Sequence, residues 1–141
     1  MKDCTFCRIV QREEWAAIVD ENSDCIAFMD RYPVEVGHTL VAPKRHYENI
    51  FEMEATEVGS LYAFAARIAR SIWDALRPDG LNVVQNNGAA AGQVVFHVHV
   101  HLVPRRWGSD HRTHHVFNVK RLKVEKEDLI QTAQRLTSAL R

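Results

Sequence analysis

Three histidines, His97, His99 and His101, alternate with Val98 and Val100. Residues two apart on a strand share a face at about 6.5–7 Å intervals, so this spacing predicts a row of imidazoles on one side and valines on the other. Imidazole acts near neutral pH as nucleophile, general base, general acid or metal ligand, so the row is either a catalytic array or a metal face. Cys4-x-x-Cys7 is half of a tetrahedral zinc site and needs two more nitrogen or sulfur ligands, for which His46 and one strand histidine are candidates. The same spacing also serves thiol redox motifs. Cys25, inside an apolar run, reads as a small buried hydrophobe. Just before the histidines, Gly88 and Gly92 let backbone N–H groups approach an anion, and Asn86 and Gln93 add side-chain donors, which together suit a phosphate. Asp30 follows Phe28-Met29 and has two open readings: a carboxylate for the hydroxyls of a ribose, or a residue that initiates a turn.

These groups need elements to hold them. Ala16–Val19 and Cys25–Met29 are apolar runs separated by a polar, turn-forming stretch, which predicts a hairpin. Thr39–Ala42 follows Gly37 and ends at Pro43, predicting a third strand. From Glu54 to Arg77 the positions Val58, Leu61, Tyr62, Ala65, Ile68, Ala69, Ile72 and Leu76 recur at three- and four-residue steps, the pattern of an amphipathic helix. Pro78-Asp79-Gly80 stops it, and Leu81–Val84 begins a fourth strand. Residues 86–92 read as a loop, and Gln93 to Val103 as the histidine strand, closed by Pro104. Residues 105–123 show no period and read mostly as loop; Trp107, His111, His114 and His115 within them read as solvated. Leu129, Ala133, Leu136 and Leu140 resume helical spacing behind Glu125, Glu127 and Asp128, acids that suit a helix N-terminus. Strands, a helix, then strands again make an α+β architecture.

Composition narrows the class. The chain has 141 residues, 46% hydrophobic, enough for one domain with a packed core. Eighteen basic residues balance eighteen acidic ones, which disfavours nucleic acid and anionic membranes as partners. No leader-like or membrane-spanning apolar run is evident. Three cysteines, two of them in Cys4-x-x-Cys7, fit a reducing, cytoplasmic setting better than a disulfide framework.

Gly92-Gln93-Val94-Val95-Phe96-His97-Val98-His99-Val100-His101-Leu102-Val103 resembles the signature of the histidine triad family. Phe28-Met29-Asp30, Gly37–His46 and Cys4–Ile9 resemble its upstream blocks, so the likeness runs from residue 4 to about 105 of a single domain spanning 1–141. The resemblance implies an α+β fold with an antiparallel sheet of about five strands per subunit, one long helix and a C-terminal helix, commonly paired as a homodimer. It implies cleavage at the α-phosphate of a nucleoside phosphoramidate, mixed anhydride or dinucleoside polyphosphate; a nucleotide-binding scaffold with little turnover is the alternative of another class. By position His99 would be the nucleophile, His101 would lie near the phosphate and leaving group, and the His97 carbonyl would fix the His99 tautomer. Asn86 and Gln93 would bind phosphate and Asp30 the ribose of a purine nucleotide or conjugate, while Phe6, Ile9 and Phe28 would line the base pocket. Structural zinc would be held by Cys4, Cys7, His46 and His97. Val94 replaces the Ser or Thr of many relatives and cannot donate a hydrogen bond, which bears on rate or leaving group.

Overall fold

The computed structural model describes residues 3–108 and 120–141. The predicted hairpin is β1 (Ile18–Glu21) and β2 (Cys25–Met29), turned by the Asn22 side chain, whose Oδ1 accepts the Asp24 and Cys25 N–H groups at 2.9 and 2.7 Å. β3 (Thr39–Pro43) pairs with β2, and β4 (Gly80–Gln85) and β5 (Val100–Arg105) complete an antiparallel sheet ordered β1-β2-β3-β5-β4. The long helix, α2 (Ala55–Leu76), starts where the Glu57 side chain accepts the Glu54 N–H at 3.0 Å. It ends at Arg77, which takes a left-handed φ of 47° before Pro78. α3 (Lys126–Ser138) is the C-terminal helix.

The sheet is covered on both sides, which is why every residue of β2 and β3 is buried. On one face Leu61, Phe64, Ala65, Ile68 and Ile72 of α2 and Leu129, Ala133 and Leu136 of α3 pack over Ala27, Met29, Val41, Val100 and Leu102. The Leu136 carbonyl also accepts the Ser71 hydroxyl, tying the two helices. On the other face Ile26, Phe28, Leu40 and Ala42 meet Phe6 and Ile9 of α1 (Thr5–Val10). This six-residue helix is not legible from the sequence; its N-cap is the Cys4 thiol, which accepts the Cys7 N–H at 3.4 Å. Gly37 makes the turn into β3 with φ +97°, and a Cβ there would lie 2.4 Å from Leu76 Cδ1.

The histidine strand departs from expectation. β5 begins only at Val100, so His97 and His99 stand on irregular backbone ahead of it, where the Val98 N–H donates to the Tyr47 carbonyl at 2.8 Å instead of to a strand. Pro104 lies inside β5, opposite Leu81, and not at its close. Pairing with β3 stops at Leu102, so one side of β5 is already an edge there and tolerates the proline. The loop at 86–92 contains a short 3₁₀ turn, Ala89–Ala91. His111, His114 and His115 lie outside the described residues, and Trp107 is exposed as expected. No helix among the described residues is long and apolar enough to cross a membrane.

The packing of α3 yields a test. Leu136→Ala, at a fully buried position, should lower unfolding free energy by about 2–5 kcal/mol in denaturant titration, while Gln131→Ala on the exposed side of α3 should change it by less than about 0.5 kcal/mol.

Candidate active site and metal centre

α1 presents Cys4 and Cys7 one turn apart toward two histidines from distant parts of the chain. Cys4 Sγ lies 3.3 Å from His97 Nδ1, Cys7 Sγ lies 3.4 Å from His46 Nδ1 and 3.6 Å from His97 Nδ1, and the two Nδ1 atoms are 3.2 Å apart. A tetrahedral ion with bonds of about 2.3 Å to sulfur and about 2.0–2.1 Å to nitrogen separates its ligands by about 3.3–3.8 Å. The group can therefore hold a metal ion, with all four donor atoms within 4.8 Å of one another. His97 Nε2 donates to the Pro43 carbonyl at 2.8 Å, the kind of outer bond that orients a ligating imidazole.

His99 and His101 face elsewhere, into a cleft of about 810 Å³ on the α1 side of the sheet. Their rings meet edge-on at 4.7 Å between centroids, while His97 rests against His46 at 5.0 Å, so the row of three that strand alternation predicts divides between two sites. His99 Nδ1 donates to the His97 carbonyl at 2.7 Å, which leaves Nε2 of the neutral ring with its lone pair. A second chain of bonds runs to His101. The Val34 N–H donates to His38 Nδ1 at 3.0 Å, so the His38 proton sits on Nε2, 3.0 Å from His101 Nδ1 and 3.5 Å from Asp30 Oδ2. The bond to His101 leaves the His101 proton on its own Nε2.

Burial disfavours a charge on each of these rings. It is the main cause that pushes His38 down to about 3 and His101 down to about 2, with His99 also lowered although its bond to the His97 carbonyl opposes the shift. The cleft thus offers, at neutral pH, one imidazole with an unprotonated nitrogen beside another whose N–H donates a hydrogen bond. That pairing suits displacement at an electrophilic centre whose developing charge accepts that bond.

Of the residues singled out from sequence, Phe6, Ile9, Phe28, Asp30, His99 and His101 line the cleft, as do Gly92 and Val94, the latter 84% exposed. Gln93 does not. Its Oε1 accepts the Gly88 N–H at 2.7 Å and its Nε2 donates to the carbonyls of Glu48 and Val95 at 2.7 and 3.1 Å, so its amide is used in holding the loop. Asn86 is not in the lining either; its Nδ2 lies behind Gly92, 3.5 Å from where a Cβ would be. Cys25 is buried in the main core, where burial pushes its thiol up to about 11. Sequence reasoning assigned no role to His38, although strand alternation puts it on the face of Leu40 and Ala42, toward α1. It also missed Arg121, which joins the cleft from a segment without any motif.

Comparison with known proteins adds kinship to geometry. Residues 11–108 match the HIT domain. The chain belongs to the HIT family. It is 35% identical over 144 residues to Adenylylsulfatase HINT3 of Arabidopsis thaliana, an alignment covering 99% of this chain and 68% of that protein. It superposes on a hypothetical histidine triad nucleotide-binding protein of Sulfolobus tokodaii with a TM-score of 0.86 and 36% identity, covering 96% and 91% of the two chains. A zinc-bound histidine triad protein of Mycobacterium smegmatis gives 0.83 and 32%, covering 98% and 93%. The HIT fold is thus the fold of this chain, with His101 at the start of β5 and His97 and His99 just ahead of it.

The neutral His38 of this HIT site makes stability depend on pH. In the unfolded chain it protonates near its ordinary 6.5, in the native protein only near 3, so the unfolded state binds more protons between these values and stability falls with pH below about 6.5. Denaturant midpoints measured from pH 7 to pH 5 should decline, and more shallowly in His38→Asn; parallel slopes in the two proteins would refute this role for His38.

Proposed function

We propose that the cleft cleaves nucleotide conjugates at the α-phosphate, a nucleoside phosphoramidate foremost, through a nucleotidyl-histidine intermediate on His99. The observation that carries this reading is the 2.7 Å bond from His99 Nδ1 to the His97 carbonyl, which leaves Nε2 free in a cleft of nucleotide size. The Nε2 lone pair attacks the α-phosphorus, and the bond to the leaving amine breaks with its electron pair going to the nitrogen. The leaving nitrogen takes a proton from a water molecule, while the His101 Nε2–H donates a hydrogen bond to the reacting phosphate or leaving group. The hydroxide so formed attacks the phosphorus, the bond to His99 breaks with its electron pair returning to Nε2, and the nucleoside monophosphate is released. Phe6, Ile9 and Phe28 would hold a purine, Asp30 the ribose, and the loop at Gly92 the phosphate, with Asn86 behind it.

The resemblance to a plant protein named an adenylylsulfatase supports testing a mixed anhydride as well, since the acyl-like leaving group changes while the attack on the α-phosphorus does not. We infer that the metal is zinc, on the donor set of two thiols and two imidazoles and the tetrahedral spacing of those four atoms. Bound there, it would cross-link α1 to the segments carrying His46 and His97, as structure and not as catalyst. A homodimer in a reducing cytoplasm belongs to the same reading, with β4, a sheet edge whose Val83 is exposed, as the surface that a second subunit would extend.

Two experiments follow. Wild type should release AMP from adenosine 5′-phosphoramidate, and His99→Ala should lose about 10³-fold or more in kcat while still binding AMP. Wild type that binds AMP but turns over neither the phosphoramidate nor adenosine 5′-phosphosulfate would favour the scaffold. Elemental analysis should find zinc at one ion per chain, and chelation or Cys4→Ala should lower the melting temperature by about 5 °C or more. Metal-free protein that melts with the Cys4→Ala variant would remove zinc from the account.

A further inference from the structure

Asp30 is enclosed. Its side chain is only 14% exposed, its Oδ1 accepts the Tyr32 N–H at 2.9 Å, and its Oδ2 faces His38 Nε2 at 3.5 Å and an Arg121 guanidinium nitrogen at 3.4 Å. Burial raises the carboxyl's affinity for its proton, and a protonated carboxyl would offer a donor where a sugar hydroxyl needs an acceptor. His38 is a neutral ring and supplies no countercharge. Three cations line the cleft among the described residues, and two of them are engaged elsewhere: Arg31 donates to the Val124 carbonyl at 2.8 Å, and Lys126 lies 4.9 Å over the Trp15 ring. Arg121 is the one that reaches Asp30, and it is anchored there by donating to the Tyr32 carbonyl at 2.9 Å. The backbone around it is laced to the same turn, since the Leu122 N–H donates to the Pro33 carbonyl at 2.8 Å.

We propose that Arg121 is a positioning residue for sugar recognition, holding the Asp30 carboxylate in place to accept ribose hydroxyls, so that the segment before α3 forms a wall of the nucleotide site. This rests on the reading of Asp30 as the ribose acceptor. The sugar is then sensed by two parts of the chain about ninety residues apart, and the C-terminal segment governs sugar selectivity without touching the reacting phosphorus.

The test is calorimetric binding of AMP and of 2′,3′-dideoxy-AMP to wild type, Arg121→Ala, Arg121→Lys and Asp30→Asn. Because each protein is compared across two ligands, any general loosening of the site cancels. Wild type should prefer AMP by about tenfold, the worth of one charge-assisted hydrogen bond. Arg121→Ala and Asp30→Asn should each bring that preference close to unity by weakening AMP alone, their combination should do no more than either, and Arg121→Lys should keep most of it. Arg121→Ala that weakens both ligands alike, or that keeps the wild-type preference, overturns the proposal. Wild type that binds both ligands equally overturns the Asp30 assignment and this inference with it. Neither result touches the nucleophile assignment, which turnover by His99→Ala decides separately.

Discussion

The bond between His99 Nδ1 and the carbonyl of His97 is the constraint on which the chemistry of this protein depends. A carbonyl only accepts, so the bond selects one tautomer of His99 and leaves its other nitrogen with a free lone pair, the nucleophile of the proposed reaction. For that to work His97 must itself be immobile. Its ring is gripped by Cys4, Cys7 and His46 on Nδ1 and by the Pro43 carbonyl on Nε2, and its neighbour Val98 is pinned to Tyr47. The residue that would ligate a metal through its side chain thus orients the proposed nucleophile through its backbone. Phe6, between the two cysteines, adds edge-on contacts to the rings of both His97 and His99, with centroids 5.7 and 5.0 Å away.

A displacement site needs a donor as well as a nucleophile, and burial arranges this by electrostatics. Charged imidazoles at 4.7 Å in a desolvated cleft would repel each other, so both are held neutral and differ only in where the proton sits. His38 enforces the difference from behind, because its own tautomer is settled by a backbone N–H that has no other partner in β-structure. Two backbone groups, the Val34 N–H and the His97 carbonyl, thereby assign opposite roles to chemically identical side chains.

The fold supplies the rigidity these bonds require. With α2 and α3 on one face and α1 on the other, β2 and β3 are central strands buried on both sides, and the cleft opens where α1 leaves the sheet uncovered near His99 and His101. A short helix such as α1 gains little from its own hydrogen bonds; its hold on the sheet comes from Phe6 and Ile9 and from the thiols aimed at His46 and His97.

Much of this architecture is written locally. The apolar periods of α2 and α3, the hairpin with its Asn22 turn, β3 and β4 all follow from side-chain spacing and turn chemistry, which act over a few residues. The types and spacing of the histidines and of Cys4-x-x-Cys7 likewise point to imidazole chemistry and metal binding, with thiol redox left open by spacing alone. The division of labour among the histidines follows from the family resemblance but not from their spacing. Alternation along a strand predicts one face for all three, but β5 starts at Val100, because His97 is drawn to a cluster built with α1 and the Val98 amide is taken by Tyr47. Gln93 has the chemistry of a phosphate donor, but its amide is taken by Gly88 and by the Glu48 carbonyl 45 residues away, and nothing local marks Arg121, which the fold returns to Asp30. Sequence by itself determined which residue types and which local elements exist and, through the family resemblance, the set around His97; only the tertiary structure decided that His38 faces His101 and Arg121 faces Asp30, because hydrogen-bond partners 63 and 91 residues apart leave no periodic trace in the chain.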